Sequence, residues 1–397
     1  MKLIKTTAAL LALSAFAGAA HAQSSVTLYG IVDAGILFNN NVKGLREYAM
    51  SQGTSSRFGL KGAEDLGGGL KAIFTLENGF TTASGALGQG GLLFGRKAFV
   101  GVSSSTWGTL TAGRQYSVSN DFTSQFASGA DWAASGLGYG THASDVDNVD
   151  TSNRVQNSIK YVSPSFAGLQ FGGMYSLGGV AGNATQNEVI DAAVSYSNGP
   201  INLGAGYTFV KDPYYATYGN QGNSSTSSTG TNDNMNNKIY GGYASASSQQ
   251  IIVVGGSYAL GPATIGLEYS NTQFGNLGSV NAGGAITAPK YTGGSATFNS
   301  GEVNVKYQLT PALQLGGAYI YTRNSGADGF SGAHYNQFNL GAIYSVSKRT
   351  SFYAIGFYET ASGTDSTGKA AVADLNGSAY SADNHQVAAI VGMTHRF

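Results

Sequence analysis

The chain has 397 residues, no cysteine and only 11% charged residues, far below the roughly 25% of an ordinary soluble domain. Its 21 basic and 21 acidic residues balance, so nothing in the charge suggests a nucleic-acid partner. After the first 25 residues no apolar run reaches 18, which excludes a helical membrane span, and the 24 tyrosines and 19 phenylalanines argue against disorder, which goes with high charge and few aromatics.

The first element is MKLIKTTAALLALSAFAGAAHA. Lys2 and Lys5 precede an apolar core that ends at Ala20-His21-Ala22, the layout of a cleaved export signal. Residues 1–22 are therefore expected to be a signal peptide and 23–397 the mature chain. Losing two lysines takes the bases to 19 against 21 acids, a net charge of −2. An exported chain without disulfides needs another source of stability. A large sheet closed on itself supplies one.

Strands begin at Ser24. Val26, Leu28, Gly30, Val32, Ala34 and Ile36 alternate with Thr27, Tyr29, Ile31 and Asp33, the period of a half-buried strand. The same period recurs in 169–176, 190–196, 201–209, 263–271, 302–309, 313–322 and 336–345. It returns in 385–397, where Phe397, His395, Met393, Val391, Ala389 and Val387 share one side. Short turns are expected at 65–69, 103–108, 163–168, 197–200, 260–262, 309–312 and 346–350. Pro164, Pro200, Pro262 and Pro311 sit in these turns, where no ladder hydrogen bond is lost. Between them run longer polar loops at 39–54, 83–91, 119–153, 178–187, 212–249, 275–299, 325–335 and 362–383.

Seven short turns alternating with eight long loops give sixteen strands with both chain ends on the short-turn side. An even strand number with this asymmetry describes an outer-membrane barrel. In lipid no backbone group can stay unpaired, so the last strand must pair with the first. The expected fold is all-β, a 16-stranded antiparallel transmembrane β-barrel. Tyr196, Phe209, Tyr321, Tyr344 and Phe357 lie near strand ends, as aromatic girdles would. His395 and Phe397 fall in the girdle on the short-turn side.

Alternation also sorts the charges. Arg57 and Lys61 share a parity opposite Phe58 and Leu60 and point inward. Arg154 and Lys160 do so opposite Val155 and Ile159. Arg114 follows Leu110 and Ala112, which places it on the outer face. The 119–153 loop is unusually long, which tends to mark function, and carries Asp121, Asp131, Asp145, Asp147 and Asp150 with no lysine or arginine. No His/Asp/Ser constellation converges. GQGGLLFG at 88–95 lacks the strand–loop–helix setting of a phosphate loop. His334 and Asp328 are the only loop pair close enough in sequence to suggest hydrolysis. No enzyme, cofactor or metal site is expected.

SVTLYGIVDAGI (25–36), SSRFGLKGAEDLGGGLKAIFTLENGF (55–80), LFGRKAFVGV (93–102), WGTLTAGRQY (107–116) and the terminal VGMTHRF resemble the trimeric general porins of Gram-negative outer membranes. The likeness is greatest to their betaproteobacterial and neisserial branch. It spans the mature chain. The resemblance implies a homotrimer in the outer membrane, among lipid and lipopolysaccharide. It also implies an inward-folded third loop at 119–153 and passive diffusion of ions and small hydrophilic solutes. It places Arg96, at poor alternation, with Arg57 and Arg154 on a basic wall at the constriction, facing Asp121 and Asp131. It makes Arg114 a trimer contact, and Phe397 with His395 a signal for the barrel-assembly machinery. The Ser/Thr/Gly/Asn-rich loop 212–249 departs from the family. Two other readings stay open: a solute-specific channel guided by Phe126, Trp132 and Tyr139, and an adhesin or receptor using that loop. The inward bases Arg57, Lys61, Arg96, Arg154, Lys160 and Lys306 outnumber Asp33, Glu268 and Glu302, which leans toward anions.

Overall fold

The computed structural model describes residues 25–134, 138–216, 218–219, 235–282 and 286–397. The expected signal peptide and the centre of loop 212–249 lie outside the described residues.

Sixteen antiparallel crossings form one closed sheet. They are β1 (Ser25–Val42), β2 in two pieces (Leu45–Ser51 and Arg57–Gly67), β3 (Leu70–Gly79), β4 (Lys97–Ser104), β5 (Gly108–Gln115), β6 (Arg154–Val162), β7 (Leu169–Ser176) and β8 (Val189–Asn198). The second half comprises β9 (Ile201–Lys211), β10 (Ser248–Leu260), β11 (Ala263–Gly275), β12 (Ser295–Gln308), β13 (Leu313–Asn324), β14 (Ala333–Ser345), β15 (Thr350–Gly363) and β16 (His385–Arg396). A two-residue segment, Tyr218–Gly219, pairs with the start of β6. β1 and β16 close the barrel in register from Ile31 opposite Arg396 to Asn39 opposite Ala388. Gly30 and Phe397 add two reciprocal backbone bonds of 3.1 Å. The terminus is thus fastened because the backbone of β1 would otherwise be an open edge in lipid.

The pleat separates the faces. On β12, Val303, Val305 and Tyr307 are about 40% exposed, whereas Glu302 and Asn304 between them are 4% and 5% exposed. Apolar side chains point to lipid and polar ones to the interior, as in outer-membrane barrels. All seven short turns fall where the sequence puts them.

The first long loop does not. β1 and β2 continue as a hairpin through 39–54, joined by Lys43 and Gly44 at φ 53° and 91°. Two consecutive positive φ values make the two-residue turn that matches strand twist. Among the girdle residues, Tyr321 and Tyr344 are exposed, but Phe357 is 2% exposed and packs inward against Tyr139 at 5.6 Å.

Candidate functional site: the interior wall and the third loop

The described residues of 116–153 pack against side chains that point inward from the barrel strands. The segment begins with α1 (Val118–Thr123) and α2 (Ser128–Asp131). Ser117 caps α1 by accepting from the Asn120 amide at 3.2 Å. Its bonds go to inward residues of distant strands. The Val118 and Ser119 amides donate to Asp191 on β8, and Ser128 N donates to Glu302 Oε1 at 2.6 Å. Asn304 donates to the Phe126 carbonyl, Gln337 to that of Tyr139 and Asn339 to that of Gly140. The loop backbone is thus satisfied by barrel side chains, as buried backbone must be.

At its centre His142 is fully buried between two carboxylates. Nδ1 lies 2.6 Å from Asp147 Oδ2, and Nε2 lies 3.4 Å from Glu302 Oε2. Ser270 also donates to Asp147. Burial alone would lower the imidazole; Asp147 and Glu302 outweigh it and hold His142 well above the usual histidine range. Burial alone would raise Asp147, but His142 brings it below the usual carboxylate range. Asp150 is pushed well up, first by burial and then by Asp145.

The loop's aromatic residues face the wall and not the channel. Phe126, Trp132 and Tyr139 are 1%, 4% and 2% exposed. Trp132 and Tyr139 pack with Leu37, Tyr353, Ile355, Phe357 and Ile390. None offers a face to a passing solute, which corrects their proposed role as guides. His334 bonds Tyr321 and Asp328 bonds Thr292, so this candidate hydrolytic pair is not assembled.

The basic wall forms on β2 to β6. Arg57 is partly exposed and within electrostatic reach of Arg96, Glu77, Tyr116 and Arg154. Arg96 precedes β4 and escapes its alternation; its Nε donates to Glu77 Oε1 at 2.8 Å. Glu77 also accepts from Tyr29 at 2.8 Å, and Lys61 stands 5.3 Å from the Tyr29 ring centre. Arg154 reaches the same cluster for a reason other than simple alternation. Asn157 at φ 51° lies where the ladder to β5 shifts register, and Val155, expected outward, is fully buried. The Arg154 guanidinium donates to the Tyr116 hydroxyl at 2.7 Å and to the Ser152 carbonyl at 2.9 Å.

Two expected placements change. Asp121 and Asp131 do not stand free opposite the arginines. Lys160 Nζ bonds Asp121 at 2.7 Å, and Lys306 Nζ bonds Asp131. A lysine ammonium is flexible enough to reach a loop carboxylate, so the pairs form locally. Arg114 is not on the exposed outer face: it is 8% exposed and its Nε donates to the Gly95 carbonyl at 2.8 Å. The ladder shifts register between Gly113 and Gln115, so alternation from Leu110 does not reach it. His395 and Phe397 are exposed on the outside, with His395 Nδ1 2.9 Å from Thr350 Oγ1. Sequence reasoning missed Glu77, Lys97 and Tyr116, all within the motif stretches, because each matters only through partners on other strands.

A closed 16-stranded barrel with a charged interior wall and a loop laid across it defines an outer-membrane channel. The chain belongs to the Gram-negative porin family, whose profile matches residues 7–364. An outer membrane porin of Bordetella pertussis is 33% identical over 394 residues, covering 89% of this chain and 94% of that protein. Outer membrane porin protein 32 of Delftia acidovorans is 30% identical, covering 86% of each chain. Among solved structures, the anion-selective porin from Comamonas acidovorans superposes with a TM-score of 0.67, covering 94% of this chain and all of that one at 24% identity. The protein is an outer-membrane porin, a channel for passive diffusion of small solutes.

Proposed function

We propose that solutes cross between the basic wall of β2 to β6 and the third loop, and that the channel weakly prefers anions. One observation carries this. The carboxylates beside the path each have a cation of their own: Glu77 has Arg96, Asp121 has Lys160 and Asp131 has Lys306. Arg57, Lys61, Lys97 and Arg154 then leave the wall positive. Charges lining a narrow channel set ion preference, and a low-dielectric cleft focuses their field. The Comamonas acidovorans neighbour is an anion-selective porin, which agrees with this reading. Changing Arg57, Arg96 and Arg154 together to Gln should move the reversal potential in a salt gradient toward cations. The measurement belongs at low salt, where screening is least. An unchanged potential overturns the reading.

The same reading makes the working unit a homotrimer, with export through a leader cleaved after Ala22 and assembly directed by Phe397 and His395. The outer faces of the strands between 25 and 118 are rich in Gly and Ala, which suits close packing against protein. Cross-linking in outer-membrane vesicles tests this: a monomer band alone refutes the trimer.

A further inference from the structure

In the sequence Tyr116 is only the last residue of WGTLTAGRQY. In the structure it is the point on which the basic wall converges. It lies between β5 and α1 and is 6% exposed. The Arg154 guanidinium stands 4.9 Å from its ring centre and Lys97 Nζ 5.3 Å. Its hydroxyl accepts from Arg154 at 2.7 Å, and its backbone carbonyl accepts from Lys160 Nζ at 3.0 Å. Arg57, Arg96 and Arg114 also act on it electrostatically. Glu77, which Arg96 holds, is a carboxylate that does so as well.

We infer that Tyr116 is a specificity-determining residue of the channel: it positions Arg154 and Lys97 as one basic surface and, when its hydroxyl ionises, cancels one of their charges. This rests on the anion-preference reading above. An aromatic face attracts cations, more strongly when water is excluded, so the ring gathers two long side chains that would otherwise repel. The hydroxyl adds a titratable group at the centre of the cluster. Burial pushes that hydroxyl up, but Arg154, Arg96 and Lys97 outweigh burial and Glu77 and bring it down to about 8. Ordinary lysines and tyrosines titrate only near pH ~10. A loss of anion preference around pH ~8 therefore points to this phenol and not to the lysines.

The test uses the full-length protein and Tyr116→Phe, which keeps the ring and its cation contacts but cannot ionise. Near-ultraviolet absorbance is titrated from about pH 6 to pH 9, below the range of ordinary tyrosines. The parent should show one phenolate that the variant lacks, with its midpoint raised in Arg154→Gln. In planar bilayers, the parent's anion-to-cation permeability ratio should fall about twofold over the same range, because one charge is lost from a small cluster. Tyr116→Phe should hold its low-pH ratio throughout. A parent without that phenolate, or a variant whose ratio falls like the parent's, overturns the role of Tyr116. A phenolate that titrates in a channel with no anion preference at low pH instead overturns the reading of the wall.

Discussion

On β11 to β14 the inward residues Glu268, Glu302, Gln337 and Asn339 are all 4% exposed or less, beneath the third loop. On β2, Arg57 and Lys61 have the same inward parity, but Arg57 stays partly exposed and Lys61 exposed. Both walls follow one rule of alternation. What covers them decides what they do. Under the loop, Glu302, Gln337 and Asn339 are used in holding it: Glu302 binds the Ser128 amide and faces His142, Gln337 binds the Tyr139 carbonyl and Asn339 the Gly140 carbonyl, while Glu268 is buried without a hydrogen-bond partner among the described residues. Opposite it, charges remain available to ions. Inward acids on the covered wall therefore do not count against the bases of the open one, as a tally by parity assumes.

The largest break in this comparison should come from releasing the loop. His142→Ala leaves Asp147 and Glu302 buried without their cation, and removing one partner of a buried charge cluster costs about 3–5 kcal/mol. Noisier single-channel currents and a lower melting temperature are expected; parental values for both would show that the loop is held elsewhere. The anchor also depends on pH. The raised His142 stabilises fully below its ordinary value near ~6.5 and loses that contribution as pH rises through its folded value. The depressed Asp147 contributes above its ordinary value near ~3.9 and loses it as pH falls further. The loop should be steadiest between these limits, and current noise recorded across pH checks it.

A smaller effect is expected from crowding the loop without touching its charges. A Cβ at Gly316 would lie 2.6 Å from the Trp132 ring. Gly316→Ala should cost about 1–3 kcal/mol, as overpacking does, and shift Trp132 fluorescence. A parental spectrum and melting curve would mean that this part of the loop packs loosely. Deleting Phe397 removes its two bonds to Gly30 and should reduce insertion into the outer membrane while leaving the conductance of inserted channels unchanged. Normal insertion would refute its role in assembly.

The barrel was legible because lipid enforces alternation and closure, so strand count, turns and the β1–β16 seam follow from the pattern. The open wall was legible for the same reason at Arg57 and Lys61. Alternation fails where the ladder shifts, at Arg114 and Arg154. It is silent before β4, where only family resemblance placed Arg96 inside. The covered wall did leave a signal. Tyr353, Ile355, Phe357 and Ile390 are large and apolar or aromatic on the inward parity and pack against the loop residues Trp132 and Tyr139. Bulky apolar groups facing a water-filled lumen make physical sense only if something dry lies over them. The pairing of Asp121 and Asp131 could not be read, because it depends on which lysine the folded loop comes to rest beside.

Those two pairs allow the finest test. Lys160–Asp121 and Lys306–Asp131 are partly exposed, with the acids about one-third accessible. Pairs near water contribute roughly 0–1 kcal/mol to stability, so Asp121→Asn with Asp131→Asn should leave the melting temperature nearly unchanged. Electrically the change is larger, because each substitution frees one lysine charge beside the path. The reversal potential should shift toward anions, opposite in sign to the triple arginine variant. The shift should be smaller, since Lys160 and Lys306 can move back toward water while the arginines are fixed by Tyr116 and Glu77. It should also shrink as salt rises, because exposed charges are screened over roughly 10 Å at 0.1 M. A shift toward anions as large as the triple arginine variant's shift toward cations would mean that the loop acids already act alone on passing ions, and the distinction between a neutralised loop and an open basic wall would fail.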